Sequence, residues 1–132
     1  MIKDKIEIIN NAAFVEVFFT DFISGQIVSA KMLLDTGAKF TILDKGFLQR
    51  LGYNDKKAPK KAFLGYGGKE RVGSLVKIKG IKLHKLKRKN FEVLADDMPL
   101  GFLMYCSGIL GLDFFLNQSF TINLKTKEFN FN

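Results

Sequence analysis

Three consecutive residues, Asp35, Thr36 and Gly37, carry the clearest chemistry in this sequence. They follow an apolar run, residues 27–34, that is β-branched at its start and leucine-rich at its end and reads as a strand. Gly37 can adopt backbone angles that other residues resist, so it suits a tight turn at the strand end. Asp35 is therefore expected at the base of a turn with apolar residues beneath it. A carboxylate so placed is costly unless it is hydrogen-bonded or shares its proton with another acid. A carboxylate pair with one shared proton can take a proton from water and give one to a carbonyl oxygen. The bare triplet is also an ordinary turn signal, because Asp and Gly are common turn residues.

Other reactive groups lack partners in the sequence. Asp96 and Asp97 are adjacent acids with no histidine or further acid beside them, so no metal and no cofactor is expected there. Cys106 has no nearby histidine to make it a nucleophile. His84 sits in a lysine-rich turn and is expected to be exposed. The glycines of residues 65–68 are not followed by a helix bearing Lys-Ser or Lys-Thr, which excludes a phosphate-binding loop.

The elements that must position Asp35 follow from alternation and turn residues. Ile6 and Ile8, then residues 14–19, read as two opening strands; residues 13–20 and 27–34 form a hairpin across the turn at Ser24-Gly25. After the Asp35 turn, residues 40–43 read as a short strand. Asp44 can cap a helix carrying Phe47, Leu48 and Leu51, which Gly52 ends. Residues 63–73 read as a hairpin with a glycine-rich tip. Residues 74–89 alternate between apolar and basic, and Phe91, Val93 and Leu94 continue in strand. Residues 103–106 read as strand, Asp113 as the cap of a short helix over residues 114–117, and residues 119–131 as a closing hairpin.

The 132 residues suffice for one domain with a single hydrophobic core, residues 1–132, without internal repeat. The formal charge is +8, and 14 residues are phenylalanine. One cysteine excludes an internal disulfide, and the charges that interrupt residues 6–19 do not fit a signal peptide, so a cytoplasmic location is expected. The longest uncharged apolar stretch, residues 101–112, is too short to span a membrane.

Leu33 and Leu34 before the triplet, Ala38 after it and Thr41-Ile42-Leu43 beyond resemble the active-site stretch of the retropepsin-like (retroviral-type) aspartic proteases. Gly108-Ile109-Leu110-Gly111-Leu112-Asp113-Phe114-Phe115 resembles the second signature of that family, with Gly111 and Asp113 as its structural residues. The resemblance implies an all-β, closed-barrel-like single domain with one or two short helices. It also implies that residues 63–73 are a flap closing over substrate, with Tyr66, Gly67 and Gly68 at its tip. Asp35, Thr36 and Gly37 would be the catalytic turn, and Ala38, Lys39, Ile109 and Leu110 would join the flap in binding an extended peptide. No other aspartate lies in such a turn, so the second carboxylate must be Asp35 of another copy, which implies a homodimer. In the family, the hydroxyl at the Thr36 position bonds across the twofold axis. Ala38 cannot donate the hydrogen bond to Asp35 that a serine could, so activity is expected from mildly acidic to near-neutral pH.

Viral members usually carry an acid at the Lys39 position and an arginine at the Leu112 position, which pair; here both have changed, leaving no orphan charge. Gly-Leu-Asp-Phe-Phe is more similar to cellular, particularly bacterial, members. Residues 56–89 hold thirteen Lys and Arg and one acid, Glu70. A basic face keeps a sheet edge soluble and unpaired. It also leaves open a basic module for nucleic acid or an acidic partner, but aromatic residues are absent from residues 77–89, against single-strand stacking. A protease fold that binds peptide without cutting it is the other alternative.

Overall fold

The computed structural model describes residues 5–65 and 68–131. Tyr66 and Gly67, two of the expected flap-tip residues, lie outside the described residues.

Strand β1 (Glu7–Ile9) pairs with β2 (Ala12–Thr20), which forms the expected hairpin with β3 (Ile27–Leu34), in register from Phe14↔Leu33 to Thr20↔Ile27. Alternation along β2 turns Val15, Val17 and Phe19 into the interior. Asp21 closes the turn by accepting from the Ile23 and Ser24 amides, both at 2.9 Å. Strand β4 (Ile42–Asp44) leads into α1 (Lys45–Arg50), where Asp44 accepts from the Phe47 amide at 3.3 Å as the helix cap. The helix stops at Gly52, whose φ of +88° is left-handed.

Strands β5 (Lys60–Leu64) and β6 (Glu70–Leu83) form the next hairpin, and β7 (Leu86–Asp96) runs back along β6. The alternating stretch of residues 74–89 is thus two strands with a turn at His84, which has φ +52°. His84 is half-buried rather than exposed, edge-on to Phe129 with ring centroids 6.4 Å apart. Of residues 103–106, expected as strand, Leu103 instead ends a one-turn helix α2 (Leu100–Leu103) and the other three follow it without strand. Pro99 accepts from the amides of Phe102 and Leu103 at 3.0 and 3.1 Å, so the chain coils where its apolar composition alone favoured extension. Then come β8 (Gly108–Leu110), a 3₁₀ turn (Leu112–Phe115), and the closing ribbon β9 (Phe120–Asn123) with β10 (Glu128–Phe131).

The main sheet runs β1-β2-β3-β8-β4-β7-β6-β5, and pairing of Phe18 with Lys82 and Phe19 with Ile81 joins β2 to β6, which closes the six strands from β2 to β6 into a ring. The result is a closed, all-β barrel. Val17, Met32, Leu43, Ile81, Leu83, Leu110 and Phe114 fill it at 0% exposure. Part of the abundant phenylalanine packs in the same core, where Phe115 meets Phe120 and Phe131 at 4.7 and 6.3 Å between centroids. Each buried ring contributes about 2–3 kcal/mol. A smaller cluster, Ile42, Leu94, Met98 and Ile109, packs with Leu33, Ala38, Phe40 and Phe63 directly under the Asp35 turn. Among the described residues, no helix is long and apolar enough to cross a membrane.

Candidate active site

Strand β8 inserts between β3 and β4, parallel to the first (Leu33↔Ile109, Leu34↔Leu110) and antiparallel to the second (Ile42↔Ile109, Leu43↔Gly108). Residues 35–41, which connect β3 to β4, must therefore arch over the end of β8. Three backbone bonds fix the arch: Asp35 N–H to Leu110 O at 3.1 Å, Ala38 N–H to Asp35 O at 3.1 Å, and Leu112 N–H to Ala38 O at 2.8 Å. The half-buried Asp35 carboxylate accepts from the Gly37 amide at 3.0 Å. Thr36 and Gly37 are exposed at the crest. Among the described residues, the Thr36 hydroxyl makes no hydrogen bond within the chain.

The far end of the arch is held by Thr41, which is fully buried. Its hydroxyl accepts from the Gly111 amide at 3.1 Å and donates to Asp113 Oδ1 at 2.7 Å. Burial pushes the Asp113 carboxyl above the ordinary aspartate range, and the Thr41 hydroxyl opposes that shift. Asp113 was expected to cap a helix; instead the turn starts at Gly111 with no side-chain cap, because the carboxylate is taken by Thr41. A side chain at Gly111 would put its Cβ 2.6 Å from the Phe40 carbonyl, and one at Gly108 would collide with the Ile42 oxygen. These two glycines let β8 lie against the arch and β4.

A cleft of about 320 Å³ opens between the turn, at Gly37, Ala38, Lys39, Phe40 and Ile42, and β5, at Ala62, Phe63 and Leu64. Beyond β5, Gly65 N–H bonds to Lys69 O at 2.8 Å, and Gly68, exposed at φ +75°, bonds to Gly65 O at 3.3 Å. The Arg71 guanidinium, on β6, clasps Asp96 through Nε at 2.7 Å and Nη2 at 3.1 Å, tying the hairpin to the end of β7. Asp96 is thereby engaged, and among the described residues no three acids, histidines or cysteines cluster as a metal site would require.

Of the expected peptide-binding residues, Ala38 and Lys39 line the cleft and Gly68 lies in the hairpin turn. Ile109 and Leu110 are buried at 4% and 0% exposure, and support the arch from below rather than facing the cleft. Sequence reasoning gave no site role of their own to Phe40, Thr41, Ala62 and Phe63, although Thr41 stood in the resembling stretch and Phe63 opened the expected flap. A lone hydroxyl inside the apolar run of residues 40–43 was the available signal for Thr41. A second concavity of about 320 Å³, between Phe18, Ile27, Ile81 and Lys87, contains no part of the arch, so volume alone does not locate the chemistry.

A family model described as an aspartyl protease matches residues 23–114. Among solved structures, the chain is similar to a retropepsin-like aspartic protease from Rickettsia conorii, with a TM-score of 0.68 and 19% identity over 95% of this chain and 86% of that one. At that identity the likeness is one of fold. Among curated proteins, none matches the sequence.

Proposed function

Because the chain belongs to the aspartyl protease family and has the retropepsin-like fold, we propose that it is an endopeptidase whose catalytic pair is one Asp35 from each of two identical chains. The observation that carries this reading is the incompleteness of the arch. Among the described residues the Asp35 carboxylate accepts only from the Gly37 amide, and the Thr36 hydroxyl beside it is exposed and unpartnered. A twofold axis at the crest brings the two arches together, gives each Thr36 hydroxyl an acceptor and makes one cleft from two halves.

In that arrangement the two carboxylates share one proton, since adjacent acids do not both ionise cheaply. The ionised member takes a proton from a water between them, and the water oxygen attacks the peptide carbonyl carbon. The protonated member gives its proton to the carbonyl oxygen. Collapse of the tetrahedral intermediate breaks the C–N bond as the nitrogen takes the proton removed from water, and one hydroxyl of the intermediate returns its proton to the other carboxylate, which leaves a carboxylic acid product and the pair with one shared proton. The peptide lies extended: among the described strands β5 pairs only with β6, leaving its other edge open beside the cleft. Gly37, Ala38 and Lys39 approach it from below, and the β5–β6 hairpin covers it. The unpaired, buried Cys106 fits a reducing compartment such as the cytoplasm.

The test compares wild type with Asp35→Asn on a peptide library, with sedimentation of both. Both chains are expected to sediment as dimers, and the substitution to lower cleavage by about 10²–10⁴-fold. A monomer that cleaves, or an Asp35→Asn chain that retains activity, overturns the proposal. Peptide binding without cleavage by either chain points instead to a silent binding module.

A further inference from the structure

The cations around the cleft divide into two groups. Lys60 donates to Ser74 Oγ at 2.6 Å, and that hydroxyl reaches Asp55 at 3.3 Å. Arg71 is clasped by Asp96. These charges are answered within the chain. Lys39, which lines the cleft, and Lys61, which precedes the lining residue Ala62 on β5, are not: among the described residues neither has a carboxylate within ion-pair distance. Phe40, next to Lys39 in the chain and also in the lining, has the Lys61 ammonium 4.9 Å from its ring centroid. That contact keeps the cation at the rim in a limited set of positions, so less freedom is lost when an anion arrives. The rest of the lining (Gly37, Ala38, Ile42, Ala62, Phe63 and Leu64) carries no charged or polar side chain and contains no acid.

From this arrangement we infer that the pocket between Lys39, Phe40 and Lys61 is an acid-selective subsite, which takes the carboxylate of a Glu or Asp side chain flanking the bond that is cut. The inference rests on the reading of this cleft as the peptide site. The methylenes of a glutamate lie on Phe40 and Phe63, and its carboxylate meets the two ammonium groups. Lysine in the same place is repelled by both. The twofold axis repeats the pocket on the other side of the scissile bond, so the preferred peptides carry an acid on each side.

The experiment uses one cleaved peptide in which each flanking position in turn is Glu, Gln or Lys. At the responsive position, kcat/KM for Glu is expected to exceed that for Gln by about three- to tenfold at low salt, with Lys worst. The ratio shrinks as salt rises, because the rim charges are partly exposed. In Lys39→Gln and Lys61→Gln the Glu-to-Gln ratio falls toward one, and in Lys61→Glu the Lys peptide overtakes the Glu peptide. Fluorescence anisotropy of the same labelled peptides on the Asp35→Asn chain reads the preference without hydrolysis, so a failure of catalysis and a failure of the subsite are separable. Equal binding and cleavage of Glu and Gln peptides at every position, or a preference that survives both lysine substitutions, overturns the inference.

Discussion

Replacing Thr41 with valine tests how the arch is held. Valine keeps the shape and removes the hydroxyl from a site with 0% exposure. Two partners are stranded: the Gly111 amide, now 3.1 Å from a methyl group, and Asp113, which loses a 2.7 Å bond. A buried unsatisfied amide costs about 1–3 kcal/mol, and loss of a bond to a charged group about 1.5–3 kcal/mol. The added methyl returns about 1 kcal/mol, which leaves a net loss of about 3 kcal/mol. For a domain of this size each kcal/mol moves Tm by about 3–5 °C, so Tm should fall by about 10–15 °C. Thr41→Ser keeps both bonds and loses one methyl, for about 1 kcal/mol. Urea unfolding and calorimetry of the three chains measure the difference. Because the network anchors the far end of the arch whose first residue is Asp35, cleavage should fall further in the valine than in the serine variant. Valine and serine variants of equal stability would refute the reasoning.

Three further outcomes follow from the same geometry. Gly111→Ala forces a Cβ to within 2.6 Å of the Phe40 carbonyl, so a loss of about 2–4 kcal/mol in urea unfolding is expected; an unchanged midpoint would show that the arch does not press on β8 there. Arg71→Met leaves the nearly buried Asp96 carboxylate unpaired; discounted for the exposed side of Arg71, the loss is about 1–2 kcal/mol. KM should rise as the hairpin loosens, and Asp96→Asn in the same chain should restore part of the stability. For Asp113, the folded value lies above the unfolded value of 3.8, so the stability conferred by its neutral form is complete below 3.8 and is lost as pH rises through the folded value. Unfolding curves over that window should therefore show wild type losing stability relative to Asp113→Asn as pH rises, whereas parallel curves would contradict the shift.

What was legible in the sequence was local. The strand that delivers Asp35, the β2–β3 hairpin, the Asp44 cap and the closing ribbon are each signalled within about ten residues by alternation, a turn or a capping side chain. What was not legible depends on residues far apart in the chain. Thr41 and Asp113 are 72 positions apart, and nothing near Asp113 distinguishes an acceptor for Thr41 from a helix cap. Ile109 and Leu110 sit in a motif that reads as part of the peptide site, but insertion of β8 between β3 and β4 buries both. Helix α2 is too short for a helical period to emerge, so its apolar residues mimic a strand. The cleft is built from two segments about twenty residues apart, and only their packing shows that Lys61 stands over Phe40.

The central claim is that two chains build one catalytic site, and subunit mixing tests it most directly. Asp35→Asn chain is added in equal amount to a fixed amount of wild type, with time for subunits to exchange. If each site needs one Asp35 from each chain, mixed dimers are inactive and total activity falls to about one half, and further with excess variant. Activity that stays constant at every ratio, under conditions where mixed dimers are shown to form, would contradict the account.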